Sequence, residues 1–458
     1  MVVGPATRHR HGLELTSGFM RGGSMQIAMA IAGEDAAGRN YLTWAPVQGT
    51  VRLLDVDAGD RVDPVSVTLT NDNPEVGGQL EFAPARDQNR SASLDLVLPP
   101  DGSPVDFWVA GVVGKPSSAD GDAVIRVAEA GAVEALVSKP VMVRIRKNAN
   151  QLSPAERDRF TTTLAKLNDQ GAGLFKDFRE MHRQQLALAQ AHGAPGFLSW
   201  HRAYLLDLER ELQRLDPSVT LPYWRFDQPA PNLFTADFMG RSGGLGNVSF
   251  SGTNLLRQWQ TDGAAGVTRE PGFNVQTGRA NVINQAITLL LGGDRPNAIF
   301  DTGTDQDGFD EMEFNPHGNA HTSFTGSSYI RSRGTAPRDP LFFLLHCNVD
   351  RLWARWQWFH NRFDGTQPNT FFFRGSATST PHTDIGHNLL DTMWPWNNVT
   401  GFPRPDNAPR TPFPQVATAT APGSAPTVGD MIDYLGFLNA QSDMNFAYDD
   451  VPFGVAPT

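Results

Sequence analysis

Cysteine is almost missing from this chain: Cys347 is the only one in 458 residues. An intrachain disulfide framework is therefore excluded, and a cytoplasmic, reducing setting is the expectation, with secretion left open. No apolar run approaches the ~20 residues that a membrane-spanning helix needs. An excess of positive charge is lacking too. With 38 Lys and Arg against 49 Asp and Glu the formal net charge is −11, which argues against a nucleic-acid groove or an anionic membrane surface as partner. The expected partner is a small molecule, and assembly into an oligomer is left open. Internal repeats and a twin-arginine pair are absent as well. The segment MQIAMAIAG (25–33) faintly resembles a signal-peptide core, but it is short, begins late and runs into YLTWAPVQGTVRLL, which reads as strand.

At this length, with 40% hydrophobic residues, the chain can build two or three ordinary cores. Residues 1–40, Gly- and Ala-rich with His9 and His11 in TRHRHG, read as a flexible leader. Residues 41–147 read as a small β-sandwich-like domain. TVRLLDV, VSVTLTN, ASLDLVLP, VDFWVAG, DAVIRVA and VMVRIRK are short β-branched or alternating runs separated by turn signals. Nothing in them looks like a metal or nucleophile site. Ser153 and Pro154, followed by Glu156, then start a helix as N-cap and first helical residue. Residues 148–400 form the expected helical core, with a Gly/Asn/Ser-rich loop at 240–280. Residues 401–458 form a Pro-rich extension that packs on it, with one short helix candidate in TVGDMIDYLGFL. The fold class expected is mainly α: an antiparallel four-helix bundle with an N-terminal β domain and a C-terminal wrap.

Six of the eleven histidines fall into two separated triplets, His182, His192 and His201, then His317, His321 and His346. His201 shares one helix face with Leu205, Leu208, Leu212 and Leu215, and His182 follows Leu174 and Phe178 at four-residue steps, so both point into the core. His192 precedes Gly193 and Pro195 and belongs to a loop or helix start. His317 and His321 stand four apart after Pro316, which reads as a helix start. Asp339 and Pro340 open a helix that carries His346 inward, with Asp350 a turn later as support for a neighbouring polar group.

A single inward histidine is more often a hydrogen-bonded core residue than a ligand, and a lone HxxxH arises by chance. HExxH is absent, because Gly318, Asn319 and Ala320 follow His317. The combination is what counts. Six imidazoles buried in an apolar core need six nitrogen partners, and two metal ions provide them. Imidazole-only ligation suits copper, zinc, nickel or non-haem iron.

Two stretches carry a family resemblance. The first is HGAPGFLSWHRAYLLDLERELQ with LPYW (221–224). The second is EFNPHGNAH followed by DPLFFLLHCNVDRLWARWQ. Together they resemble the tyrosinase, catechol oxidase and haemocyanin family of type-3 dicopper proteins. The match covers roughly residues 141–363 plus a C-terminal DMIDYLGF…FAYDD. The resemblance implies two copper ions, the first on His182, His192 and His201 and the second on His317, His321 and His346, with dioxygen as co-substrate. It also implies an enzyme, a phenol oxidase that turns o-diphenols into o-quinones, with monophenol hydroxylation left open.

Further roles follow from the resemblance alone. Glu313 matches an acidic residue that holds a water near the second copper. Its usual asparagine partner is replaced by Gly318, which puts monophenol hydroxylation in doubt, and Asn319 is the candidate substitute. Phe342 matches an aromatic packed on the first site's imidazoles. Thr322, with Gly318, falls where relatives tune substrate access. The cysteine that many relatives carry two residues before the second histidine, and crosslink as a thioether, is Gln190 here. Leu345 replaces a histidine, and Arg225-Phe226 follows LPYW. Cys347 reads as a small buried hydrophobe, while His360, His382 and His387 read as surface or loop residues.

Other functions fit the same ligands. An o-aminophenol oxidase of secondary metabolism needs no different set. A haemocyanin-like oxygen carrier is disfavoured by the single small copper unit, and a dinuclear zinc or iron hydrolase by the lack of bridging carboxylates. The entrance loops, 240–280 and 322–338, carry no readable substrate code. The N-terminal sandwich or the Pro-rich C-terminal segment is expected to place a residue over the site.

Overall fold

The computed structural model describes residues 25–54, 63–72, 75–184, 191–193, 195–277, 312–367, 370–371, 386, 388–401 and 404–457. His9, His11, Gln190, His382 and His387, and most of the expected leader, lie outside these residues.

Among the described residues, nine strands open the fold. One sheet has the order β1-β3-β7-β5, from Ile27–Ile31, Val47–Leu53, Val105–Gly111 and Leu80–Ala83, all antiparallel. The other runs β2-β9-β8-β4-β6, from Asn40–Leu42, Ala135–Val143, Ala123–Glu129, Val65–Asp72 and Ser93–Leu98, with a parallel β2/β9 pair. Burial alternates along β3 and β4, and their inward residues, including Val51, Val67 and Leu69, join Phe107, Val109, Ile125 and Val127 in the core. Strands lie within the runs expected between 41 and 147, except that VMVRIRK is strand only to Val143, where β9 ends, and β5 is added. The leader expectation is corrected. Ile27–Ile31, within the signal-like segment, is the edge strand β1, in register with Gly49–Leu53 of β3. Its uniformly apolar sequence, IAMAI, offers no polar–apolar alternation to read as strand.

Helix α1 is Pro154–Asn168, and its start is the expected one. Ser153 Oγ accepts from the Glu156 N–H, and the Glu156 carboxylate accepts from the Ser153 N–H at 3.0 Å, a reciprocal capping box. Helices α2 (Phe175–Arg183), α3 (Gly196–Leu215), the single turn α4 (Asn319–Thr322) and α5 (Leu341–His360) follow. Leu205, Leu208 and Leu212 of α3 are buried as their stripe requires, whereas Leu215, at its end, is half exposed.

The mainly α, four-helix-bundle expectation does not hold. Helix is 28% and strand 22%, with five helices and several sheets among the described residues. Periodicity located helices correctly but says nothing about what separates them. Residues 240–277 form short two-stranded ladders and 3-10 turns rather than open loop, anchored by the fully buried Arg269–Asp339 ion pair at 2.5 Å. The C-terminal helix candidate is only a 3-10 turn, Gly429–Met431.

Buried charge ties these pieces together. Arg146, just after β9, pairs with Glu209 of α3 at 2.6 Å and Asp350 of α5 at 3.2 Å. Arg202 of α3 donates to Asp350 at 2.6 Å, and the Tyr448 hydroxyl donates to it at 2.5 Å. Two arginines and two carboxylates leave the cluster neutral, and the Arg202 guanidinium lies 3.8 Å over the Trp353 ring. Such a cluster is tolerated because every charge has a partner. It holds the β domain, α3, α5 and the C-terminal segment in one register.

Candidate metal centre

His182 comes from the last turn of α2, His192 from the connection after it, and His201 from the second turn of α3. His346 occupies the second turn of α5, and His321 lies on α4. His317 departs from expectation. Pro316 does not open a regular helix but sits inside a π turn, Glu313–Gly318, whose Asn315 has strand-like angles (φ −139°, ψ 113°). The widened turn still delivers both histidines to one side, with ring centroids 4.6 Å apart.

Within each triplet one nitrogen per ring lies within 4.8 Å of the other two. The triplets adjoin: the His201 and His346 rings stack at 4.2 Å with planes 10° apart. Five of the six residues are 1–5% exposed, and only His321 keeps a partly open edge.

Backbone carbonyls fix the tautomers. The Nδ1–H of His182 donates to Arg333 O at 3.0 Å, that of His201 to Phe197 O at 2.8 Å and that of His317 to Glu313 O at 2.6 Å. His321 Nδ1 donates likewise to Ile330 O. The Nε2 lone pairs therefore turn inward. His182 Nε2 and His201 Nε2 are buried with no hydrogen-bond partner. In the second triplet His346 Nε2 lies 3.2 Å from His317 Nε2 and 3.3 Å from His321 Nε2. Two of those three rings have their protons committed elsewhere, so lone pairs converge there. A cation relieves that crowding, and a proton is disfavoured. Burial, then the neighbouring imidazoles, pushes His192, His201, His317 and His346 well below the usual histidine range. Burial takes His182 down to about 3 and His321 to about 4. Neutral, preformed, all-nitrogen triplets are a fit for copper.

Comparison with known proteins agrees. Residues 172–359 match the family described as the common central domain of tyrosinase. The tyrosinase of Streptomyces glaucescens is 32% identical over 279 residues, spanning 56% of this chain and 93% of that one. This chain belongs to the tyrosinase family. It is a dicopper oxidoreductase, and the two histidine triads of this tyrosinase-family chain suit its two copper ions. Grixazone synthase of Streptomyces griseus is 29% identical over 307 residues, 55% of this chain and 97% of that protein. Among solved structures, a polyphenol oxidase from Thermothelomyces thermophila covers 67% of this chain and 88% of its own at 18% identity and a TM-score of 0.39.

The remaining expected residues divide. Phe342 packs between the triads, 4.8 Å from the His182 ring and 4.3 Å from that of His346. Asp350 is committed to Arg146, Arg202 and Tyr448, so it supports the helices rather than an imidazole. Asn319 Nδ2 donates to Asn315 Oδ1 at 2.9 Å, within the turn that carries Glu313. The Thr322 hydroxyl is exposed and donates back to Gly318 O at 2.9 Å. Cys347 is buried and its thiol is pushed up to about 12 by burial, so it behaves as an inert hydrophobe. His360 closes α5 beside Trp356 and Phe359, apart from both triads.

Sequence reading missed Phe197, whose ring lies 4.7 Å from His201 and 4.9 Å from His317, walling both triads. Its position one helical turn before His201 was the available signal. The carbonyls of Arg333 and Ile330 carried none, because any residue supplies a carbonyl.

Proposed function

We propose that this enzyme oxidises o-diphenols to o-quinones with dioxygen, on two copper ions held by His182, His192 and His201 and by His317, His321 and His346. The observation that carries the reading is the convergence of ring nitrogens in two adjoining triads, with the Nδ1 protons of His182, His201, His317 and His321 tied to backbone carbonyls so that their Nε2 lone pairs face the centre. When bound, the copper pair supplies a two-electron exchange with dioxygen, so that two catechols and one dioxygen give two o-quinones and two waters. The protein's part is to keep the imidazoles neutral and fixed. Phe342 and Phe197 pack on them and exclude water from the interior side. His321, the least buried ligand, marks the side from which a planar phenol arrives, beside Gly318 and Thr322.

Gly318 sets the limit on substrates. With no amide there, the Glu313 carboxylate lacks the neighbour with which it would orient a water to deprotonate a monophenol, so catechols are the favoured substrates. A second reading, oxidation of o-aminophenols, draws support from the similarity to grixazone synthase over nearly all of that protein. Oxygen uptake by the copper-loaded protein with a monophenol, a catechol and an o-aminophenol separates these readings. Rapid uptake with catechol and little with the monophenol is expected. Uptake with none of the three rules out both.

A further inference from the structure

The Glu313 carboxylate accepts a hydrogen bond from the backbone N–H of Gly193, across 120 residues of sequence. Gly193 directly follows His192, so this contact anchors the connection that carries a proposed ligand of the first copper. The backbone carbonyl of the same residue accepts from His317 Nδ1 at 2.6 Å and so orients a ligand of the second. One residue thus grips both halves of the centre, by side chain on one side and main chain on the other.

The contact acts on the ligand that stands outside the regular helices. His182 and His201 sit on helices whose ladders fix their backbones, and each is further locked by a carbonyl bond. His192 lies in a bend, outside both helices. Gly193 has φ +72°, a conformation that an ordinary side chain rarely adopts, so the turn is held by its surroundings rather than by a repeating ladder. A charge-assisted bond donated by an amide to a carboxylate is among the stronger ways to hold it.

Resting on the copper assignment above, we infer that Glu313 is a positioning residue for His192 that couples the two metal sites. Its carboxylate fixes the Gly193 turn so that the His192 imidazole meets the first copper. The sequence around it is consistent. Gln190 cannot form the crosslink that braces this connection in many relatives, and Gly318 brings no side-chain amide to compete for the carboxylate.

The test uses the full chain with Glu313→Ala and Glu313→Gln, the latter keeping an oxygen acceptor. Gly193 is exposed, so slow exchange of its amide reports the hydrogen bond itself, with or without metal. Slow exchange in the parent chain, lost in Glu313→Ala and largely kept in Glu313→Gln, is expected. In the copper-loaded protein, transfer of one copper per chain to a competing chelator should quicken roughly tenfold to a hundredfold in the alanine variant, and much less in the glutamine variant. The proposal is overturned if Gly193 exchanges freely in the parent chain. It is equally overturned if the alanine variant gives up copper at the parental rate, or if both variants lose it alike. A parent chain that binds no copper while protecting Gly193 refutes the copper assignment and leaves the brace standing.

Discussion

At the scale of single residues, the centre depends on where imidazole protons reside. A free histidine titrates near ~6.5, whereas burial holds His182 at about 3 and His321 at about 4. In the metal-free protein the unfolded chain therefore binds protons that the folded chain refuses. Stability is complete above the unfolded value and declines as pH falls from there toward the folded values. Thermal unfolding of metal-free protein should show a falling midpoint between pH 7 and pH 5, and a flat midpoint would contradict the burial argument. Gly318 is a second residue-scale test. Its helical angles (φ −59°, ψ −35°) accept any side chain, and an added Cβ would meet only the Glu313 carbonyl oxygen, at 3.1 Å. Gly318→Asn should raise monophenol hydroxylation relative to catechol oxidation, measured as the ratio of initial rates. An unchanged ratio would remove Gly318 from the explanation of substrate choice.

At the scale of elements, histidine placement was legible because it obeys helix periodicity. His182 and His201 follow apolar residues at three- and four-residue steps, and both are buried where those steps point. The π turn around Pro316 was not legible, since proline after a polar stretch reads as a helix start. Nor was the partnership of Asp350, because the face it occupies on α5 is readable but the arginine opposite is set by tertiary packing. Asp350 is 2% exposed and satisfies two arginines at once. Asp350→Ala leaves Arg146 with Glu209 as its one carboxylate among the described residues and removes the carboxylate from Arg202, which should cost about 3–5 kcal/mol in denaturant unfolding. A loss under ~1 kcal/mol, the scale of an exposed pair, would show that the cluster is not a structural tie. In the β domain, Gly49 of β3 faces Phe107 of β7, and a Cβ there would lie 2.3 Å from the ring. Gly49→Ala should destabilise by ~1–3 kcal/mol through overpacking, and an unchanged midpoint would indicate a looser sheet interface.

At the scale of the whole molecule, the N-terminal strands and the dicopper core are one interlocked structure. Arg146 reaches from the end of β9 into the helices, the Trp44 indole donates to Tyr448 O at 2.8 Å, and Arg144 donates to Asn445 Oδ1 at 2.6 Å. The sequence divided the chain into β and helical regions because patterning changes near residue 148. The packing of residues 401–458 on the helical core was expected, but their links to the β domain were not legible, since those are single polar contacts without periodicity. The overestimate of helix has the same origin: apolar stripes announce helices, while the long irregular passages between them leave no pattern to count. Among the described residues no helix is long and apolar enough to cross a membrane.

Everything functional rests on two neighbouring nitrogen-only sites. The most direct measurement is the copper content per chain after loading with excess cuprous ion and dialysis, alongside the same experiment on a His201→Ala, His346→Ala double variant. Two coppers in the parent chain and fewer than one in the double variant are expected. One copper or less in the parent chain, or an unaltered content in the variant, would contradict the paired centre.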